Sequence, residues 1–366
     1  MRSLEQQLKH LFLRLVESLA PPAHSGENVL AVAPIKKILI VRQHDQLGDL
    51  LISTPAIRAV RKRFPDAQIA VVVREYTASM MLENPSVDKV IVFSEKLHFW
   101  TWKKWRRFWN DVRGDGGYDC AIVLNTVSRS LTSDIIAVLS RARTIVGPRH
   151  PSHDKELPER IYTIVTERDP AAKSEIERNL DIVDSLGAIE NNREYDFVLT
   201  EEEKAEGVDI LHSMGVKSSR PVLGVHFGAE NSAKCLPLET LANVIDQSVE
   251  KFGYDVVLLR GPGEEKRLER LMHLVTVPVH AAPVVPLRIA AAVIGRCSLF
   301  LCNDTGTLHI ASGLRVPTVS FHALTDPAIW KPAHPRHIGI YAADRNIGSI
   351  TVKEIMQAIE AQRLHA

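Results

Sequence analysis

Short apolar runs of strand length recur along this chain, each followed by a stretch with helical periodicity. That alternation restricts the fold more than any other feature. Residues 37–41, 67–73, 89–93, 120–124 and 144–146 read as strands, and 47–62, 76–82, 132–139 and 174–186 as helices between them. A second series begins near Phe197, with strands at 222–226, 255–259, 299–302 and 318–321. Its helices fall at 201–214, 237–252, 264–275, 287–294, around His309 and at 350–362. Strands alternating with helices at this spacing predict parallel, doubly wound sheets. The expectation is an α/β chain of two Rossmann-like doubly wound parallel-sheet domains facing a central cleft, spanning 35–195 and 196–345. An amphipathic helix and linker (1–34) precede them and a helix (346–366) follows.

Composition fits two packed domains. The chain has 366 residues, 45% hydrophobic and 24% charged, enough for real cores. Its formal net charge of +1 supplies no whole-molecule field for nucleic acid, so any basic site must be local. Four cysteines without CxxC spacing argue against zinc and against a disulfide framework, and a reducing, cytoplasmic compartment is expected. No apolar run approaches the roughly 18 residues needed to span a bilayer, and residues 1–20 are too charged for a signal peptide. In that segment Leu4, Leu8, Leu11, Phe12, Leu15, Val16 and Leu19 recur at helical spacing. The helix they predict either packs on the body or lies on a membrane surface.

Chemistry is expected where strands give way to helices, because in open α/β sheets ligands bind outside the carboxyl ends of the strands. The run 299–302 breaks at Asn303-Asp304-Thr305-Gly306 and continues as a helix through His309. Such a turn leaves the first helical N–H groups unpaired and aimed outward, with Asp304 and His309 at the rim. Equally, Asp304 reads as an N-cap and His309 as a packed helix residue. The loop after the first strand contains Gly48 and Asp49. The Asp49 carboxylate could accept a proton from a hydroxyl, or simply favour a helix start. The loop from His226 to Lys234 offers Gly228, Ala229 and small residues for phosphate approach, with Lys234 as a point charge; a polar surface loop has the same composition. Gly261-Pro262-Gly263-Glu264 ends another strand, and Glu264 suits either ribose hydroxyls or a helix start. Neither GxxxxGK[ST] nor GxGxxG is present, which weakens a dehydrogenase reading.

The stretch from Leu97 to Trp109 holds four of the five tryptophans, Trp100, Trp102, Trp105 and Trp109, interleaved with Lys103, Lys104, Arg106 and Arg107. Such mixtures suit a membrane interface with anionic lipid. They also suit a helix whose aromatics pack inward while its cations face solvent. Arg61 and its neighbours Lys62 and Arg63 add local positive charge.

Taken in order, these loops resemble the bacterial ADP-heptose:lipopolysaccharide heptosyltransferases, the inverting glycosyltransferases of family 9 with the two-Rossmann-domain GT-B fold. The resemblance runs from about Ile35 to Tyr341. It is carried by Gly48-Asp49 with Thr54-Pro55-Ala56, by Gly224–Pro237, by Gly261-Pro262-Gly263-Glu264, and by Asn303–Ala311 with Thr325-Asp326-Pro327. Phe227 and Leu236 depart from the family's pattern, which has Pro and Trp there, and His322-Ala323 stands near the place of a glycine. The resemblance implies transfer of heptose from ADP-heptose to a lipopolysaccharide core acceptor, with Asp49 as base. It implies a donor site of Gly228, Ala229, Lys234, Gly261, Glu264, Asp304, Thr305, Gly306 and His309. An acceptor or membrane side would comprise Gly48, Arg61, Trp102, Lys103, Lys104, Trp105 and Arg106. No metal or cofactor is implied beyond the nucleotide-sugar donor. The acceptor would be lipid-linked or an oligosaccharide, nucleic acid is not an expected partner, and the location would be cytoplasmic, peripheral on the inner membrane. A related transferase using another activated sugar, or a non-catalytic nucleotide-sugar binding protein, are the alternatives.

Overall fold

A computed structural model of the chain describes residues 34–43, 46–94, 101–149, 161–167, 173–217 and 219–363. The helix expected over 1–20, His44, Asp45 and the segment Leu97–Trp100 lie outside the described residues. The chain divides into two compact units between Asn192 and Arg193.

In the first unit, β1 (Lys37–Arg42), β2 (Gln68–Arg74), β3 (Lys89–Phe93), β4 (Cys120–Val123), β5 (Thr144–Pro148) and β6 (Ile164–Thr166) form one sheet in the order β3-β2-β1-β4-β5-β6. Every neighbouring pair is parallel. In the second unit, β7 (Val222–His226), β8 (Asp255–Leu259), β9 (His280–Ala281), β10 (Leu299–Asn303), β11 (Thr318–His322) and β12 (His337–Tyr341) pair in the order β12-β11-β10-β7-β8-β9. These pairs are also parallel. Read from its other edge, the second order is the first repeated, and both match the doubly wound dinucleotide-binding topology. The order reverses between β1 and β4 in one unit and between β7 and β10 in the other. At those points the crossovers leave to opposite faces, and the carboxyl-end loops part to form a crevice.

The central strands read as continuous apolar runs because they are covered on both faces. Ile38–Val41 and Val71–Val73 are fully buried, as are Val256–Leu258 and Phe300–Cys302. Three of the four edge strands do not stand out in the sequence. β6 and β12 are mostly half-buried and β9 has only two residues, so none presents an apolar run. The helix expected over 47–62 is two helices, Leu47–Ile52 and Thr54–Arg63. Pro55 has no N–H to continue the first ladder, and the Ser53 N–H closes it on the Asp49 and Leu50 carbonyls. The helix expected over 76–82 is only the 3₁₀ turn Ala78–Met81. The last helix, Val352–Arg363, buries Ile355, Met356 and Ile359 in the core of the second unit. Among the described residues no helix is long and apolar enough to cross a membrane.

Candidate active site

The functional residues are best built from the two switch points. In the first unit β1 ends at Arg42, which is buried. Its guanidinium donates to the Leu124 carbonyl just past β4 and to the Asp49 carbonyl at 3.1 Å. One side chain thereby ties the helix carrying Asp49 to the strand across the reversal. Gln43 and Asn125 extend this tie, both donating to Ser133 Oγ, at 3.1 and 3.0 Å. The Asp49 carboxylate is half-buried and its Oδ2 accepts from the Gln46 N–H at 2.9 Å. Gln46 in turn accepts the Tyr76 hydroxyl at 2.6 Å. Asp49 therefore caps the start of its helix and sits at the carboxyl edge of the sheet. Gly48 is buried in the same helix.

In the second unit the loop after β7 is pinned before it reaches Lys234. Asn303, at the end of β10, donates to the Gly228 carbonyl and accepts from the Leu236 N–H, each at 3.0 Å. Arg267 donates to the carbonyls of Phe227 and Leu236 at 3.0 and 2.8 Å. Phe227 and Leu236, the two departures from the family pattern, are each 1% exposed and pack the core, so their side chains anchor the loop. Between these anchors Lys234 Nζ meets Asp304 Oδ2 at 2.8 Å, and the Thr325 hydroxyl donates to the same oxygen at 2.6 Å. Burial pushes the Asp304 carboxyl up, but His322, Lys234 and Thr325 outweigh it and hold it below the ordinary aspartate range. Burial also drives the His322 imidazole down to about 4. Near neutral pH it is therefore uncharged, leaving the lysine and the threonine to stabilise the carboxylate.

Beside this pair the helix Gly306–Gly313 begins at Thr305, whose side chain makes no capping hydrogen bond. Thr305 Oγ1 contacts Thr307 Oγ1 at 2.8 Å, and Thr307 meets His226 Nδ1 at 3.3 Å. His226 Nε2 lies 3.6 Å from Glu264 Oε2, which also accepts the Gly261 N–H at 2.7 Å. Burial raises the Glu264 carboxyl, yet His226, the Gly261 N–H and Arg267 together keep it below the usual glutamate range. Gly228 leaves room for this carboxylate: a Cβ there would stand 1.5 Å from Glu264 Oε1. Because that carboxylate ends a flexible chain, Gly228→Ala is expected to displace it rather than unfold the unit. Little change in Tm is expected, which a melting curve checks.

Lys234, Gly228, Gly261, Glu264, Asp304, Thr305 and Gly306 thus come together at one carboxyl edge, with Ala229 half-buried on the same loop. His309 does not stand at the rim. It is 4% exposed, its ring lies 5.8 Å from that of Tyr195, and burial lowers its pKa to about 4. Arg61 is held at the opposite edge of the first sheet, by Asp88 at 2.5 Å and by the Pro65 and Ala67 carbonyls. Lys103, Lys104 and Arg106 are exposed on the helix Trp102–Arg113, where Trp105 stacks on Trp109 with centroids 6.3 Å apart. Sequence reasoning did not assign Arg42, His226, Asn303, Thr307, His322 or Thr325 to a site. Each also contacts a residue well separated along the chain, and only the polar residue ending an apolar strand, as at Asn303, hints at such a role.

Two doubly wound parallel units of one topology, with polar loops gathered at their switch points, define the GT-B class of fold. The chain belongs to glycosyltransferase family 9 (heptosyltransferase), whose family model matches residues 105–357. It is similar to lipopolysaccharide heptosyltransferase 3 of Escherichia coli K12, 24% identical over 290 residues, covering 78% of this chain and 82% of that protein. Among solved structures, the glycosyl transferase family 9 protein of Veillonella parvula has a TM-score of 0.79 at 21% identity, covering 90% of this chain and 98% of that one. An E. coli heptosyltransferase solved with ADP has a TM-score of 0.72 at 19% identity, covering 89% and 99%.

Proposed function

We propose that this protein is an inverting glycosyltransferase that moves heptose from ADP-heptose to a lipopolysaccharide core acceptor, with Asp49 as general base. The observation that carries the reading is the Lys234–Asp304 pair at 2.8 Å beside the uncapped start of the helix Gly306–Gly313. A fixed cation and aligned N–H groups suit a diphosphate leaving group, whose negative charge grows as the glycosidic bond breaks. The names of the relatives supply the sugar and the nucleotide. In this mechanism the acceptor oxygen gives its proton to the Asp49 carboxylate and attacks the anomeric carbon. The bond from that carbon to the phosphate oxygen breaks, and the nucleoside diphosphate leaves with the electron pair. Lys234 and the Gly306 helix start receive that charge, while Glu264 takes the ribose hydroxyls.

Thermal-shift measurements with ADP-, UDP- and GDP-sugars test the donor. A ligand at a hundredfold excess over its Kd stabilises by about 2.7 kcal/mol, which is roughly 5–10 °C of Tm for units of this size. ADP-heptose is expected to give the largest shift. A larger shift with a UDP- or GDP-sugar would replace the donor, and no shift with any of them would remove the transferase reading.

A further inference from the structure

The helix Trp102–Arg113 has a buried half and an exposed end, and the transfer chemistry uses neither. Phe108 and Val112 are buried. The Phe108 ring lies 5.6 Å from that of Phe93, the last residue of β3, and Asp111 bonds Lys89, the first residue of that strand, at 2.6 Å. These contacts fix the helix antiparallel to β3. Trp102 therefore stands about 9 Å beyond Phe108 along the axis, at the 1.5 Å rise of an α-helix, past the carboxyl edge of the sheet. Asp49 follows β1 at that same edge.

The exposed end has one composition throughout. Trp102 is 78% exposed, and Lys103, Lys104, Arg106 and Arg107 are all exposed. No acidic residue occurs from Thr101 to Trp109. Behind them Trp109 packs edge-on to Phe108 at 5.0 Å, so the end rests on a braced aromatic base. A solvated helix face explains exposed cations, but not an indole left in water at the tip. Indole and cations together match the water–lipid boundary, where the ring sits at headgroup level and each cation is attracted by anionic headgroups.

We propose that this helix end docks the protein on an anionic bilayer surface, bringing the Asp49 edge of the first unit toward the lipid. The inference does not depend on which donor the protein uses. Since the chain's net charge is only +1, the attraction comes from this patch rather than from the molecule as a whole.

The test is co-sedimentation of the full chain with vesicles of phosphatidylcholine alone or mixed with phosphatidylglycerol. Binding is expected to the mixed vesicles only, and to weaken as salt is raised. Trp102→Ala is expected to lower the partition coefficient about tenfold and the pair Lys103→Gln/Lys104→Gln about thirtyfold, with Tm unchanged because these side chains lie outside the core. Equal binding to both vesicle types, or undiminished binding by both variants, would overturn the proposal. So would a single-stranded oligonucleotide that binds the chain through Trp102 and displaces it from the vesicles, since aromatics with cations also serve base stacking.

Discussion

Asp49→Asn is expected to lower the transfer rate at saturating donor and acceptor by about two to four orders of magnitude, the range for losing a general base. Donor affinity should stay near the wild-type value. The substitution separates the capping contact seen in the structure from the role proposed for this residue as base. An asparagine oxygen can still accept the Gln46 N–H that Oδ2 accepts at 2.9 Å, so the helix start keeps its cap. The link from Arg42 runs to the Asp49 backbone carbonyl, which the change leaves intact. What disappears is the carboxylate's negative charge and with it the ability to take a proton. Presteady-state transfer rates measured beside ADP binding decide the matter. A rate within a few-fold of wild type would make Asp49 a capping residue only, and a matching loss of donor affinity would place it in the nucleotide site instead.

The legible part of this fold was its interior. Strands buried on both faces write themselves as apolar runs, which is why residues 222–226 and 255–259 read with the bounds they have in the structure. Of the edge strands only β3 was legible, at 89–93; half-buried strands such as β12 mix polar and apolar residues without a run. At the site, loops were readable and partnerships were not. The turn at Asn303–Gly306 announces itself, but nothing in its spacing tells that Asn303 holds both ends of a loop some 70 residues away, with separations of 75 and 67. Arg61 shows the converse: its local charge suits either a binding surface or a solvated helix end, and the side chain meets Asp88 and two carbonyls at the amino edge. Composition reports that a cation exists, and only tertiary contacts report whether it is free to meet a ligand.

Lys234→Ala is expected to reduce kcat/KM by about two to three orders of magnitude, the cost of removing one preorganised donor to a developing anion. Two effects act together. The first is the lost cation: an ammonium has three N–H donors, and the one engaged by Asp304 leaves others for phosphate oxygens. The second is the charge left behind. Asp304 is nearly buried, and in the variant only Thr325, among the described residues, still donates to its Oδ2, at 2.6 Å. In the proposed site an uncompensated carboxylate would face the diphosphate and repel it. The pair Lys234→Ala/Asp304→Asn should therefore bind ADP more tightly than Lys234→Ala alone, although both charged partners are then gone. Asp304→Asn by itself should weaken binding modestly, by freeing Lys234 from the contact that aims it. A double-mutant cycle in ADP affinity measures this coupling directly. Wild-type affinity in Lys234→Ala would remove the lysine from the donor site. A double variant no better than the single one would show that Asp304 acts on the loop and not on the charge.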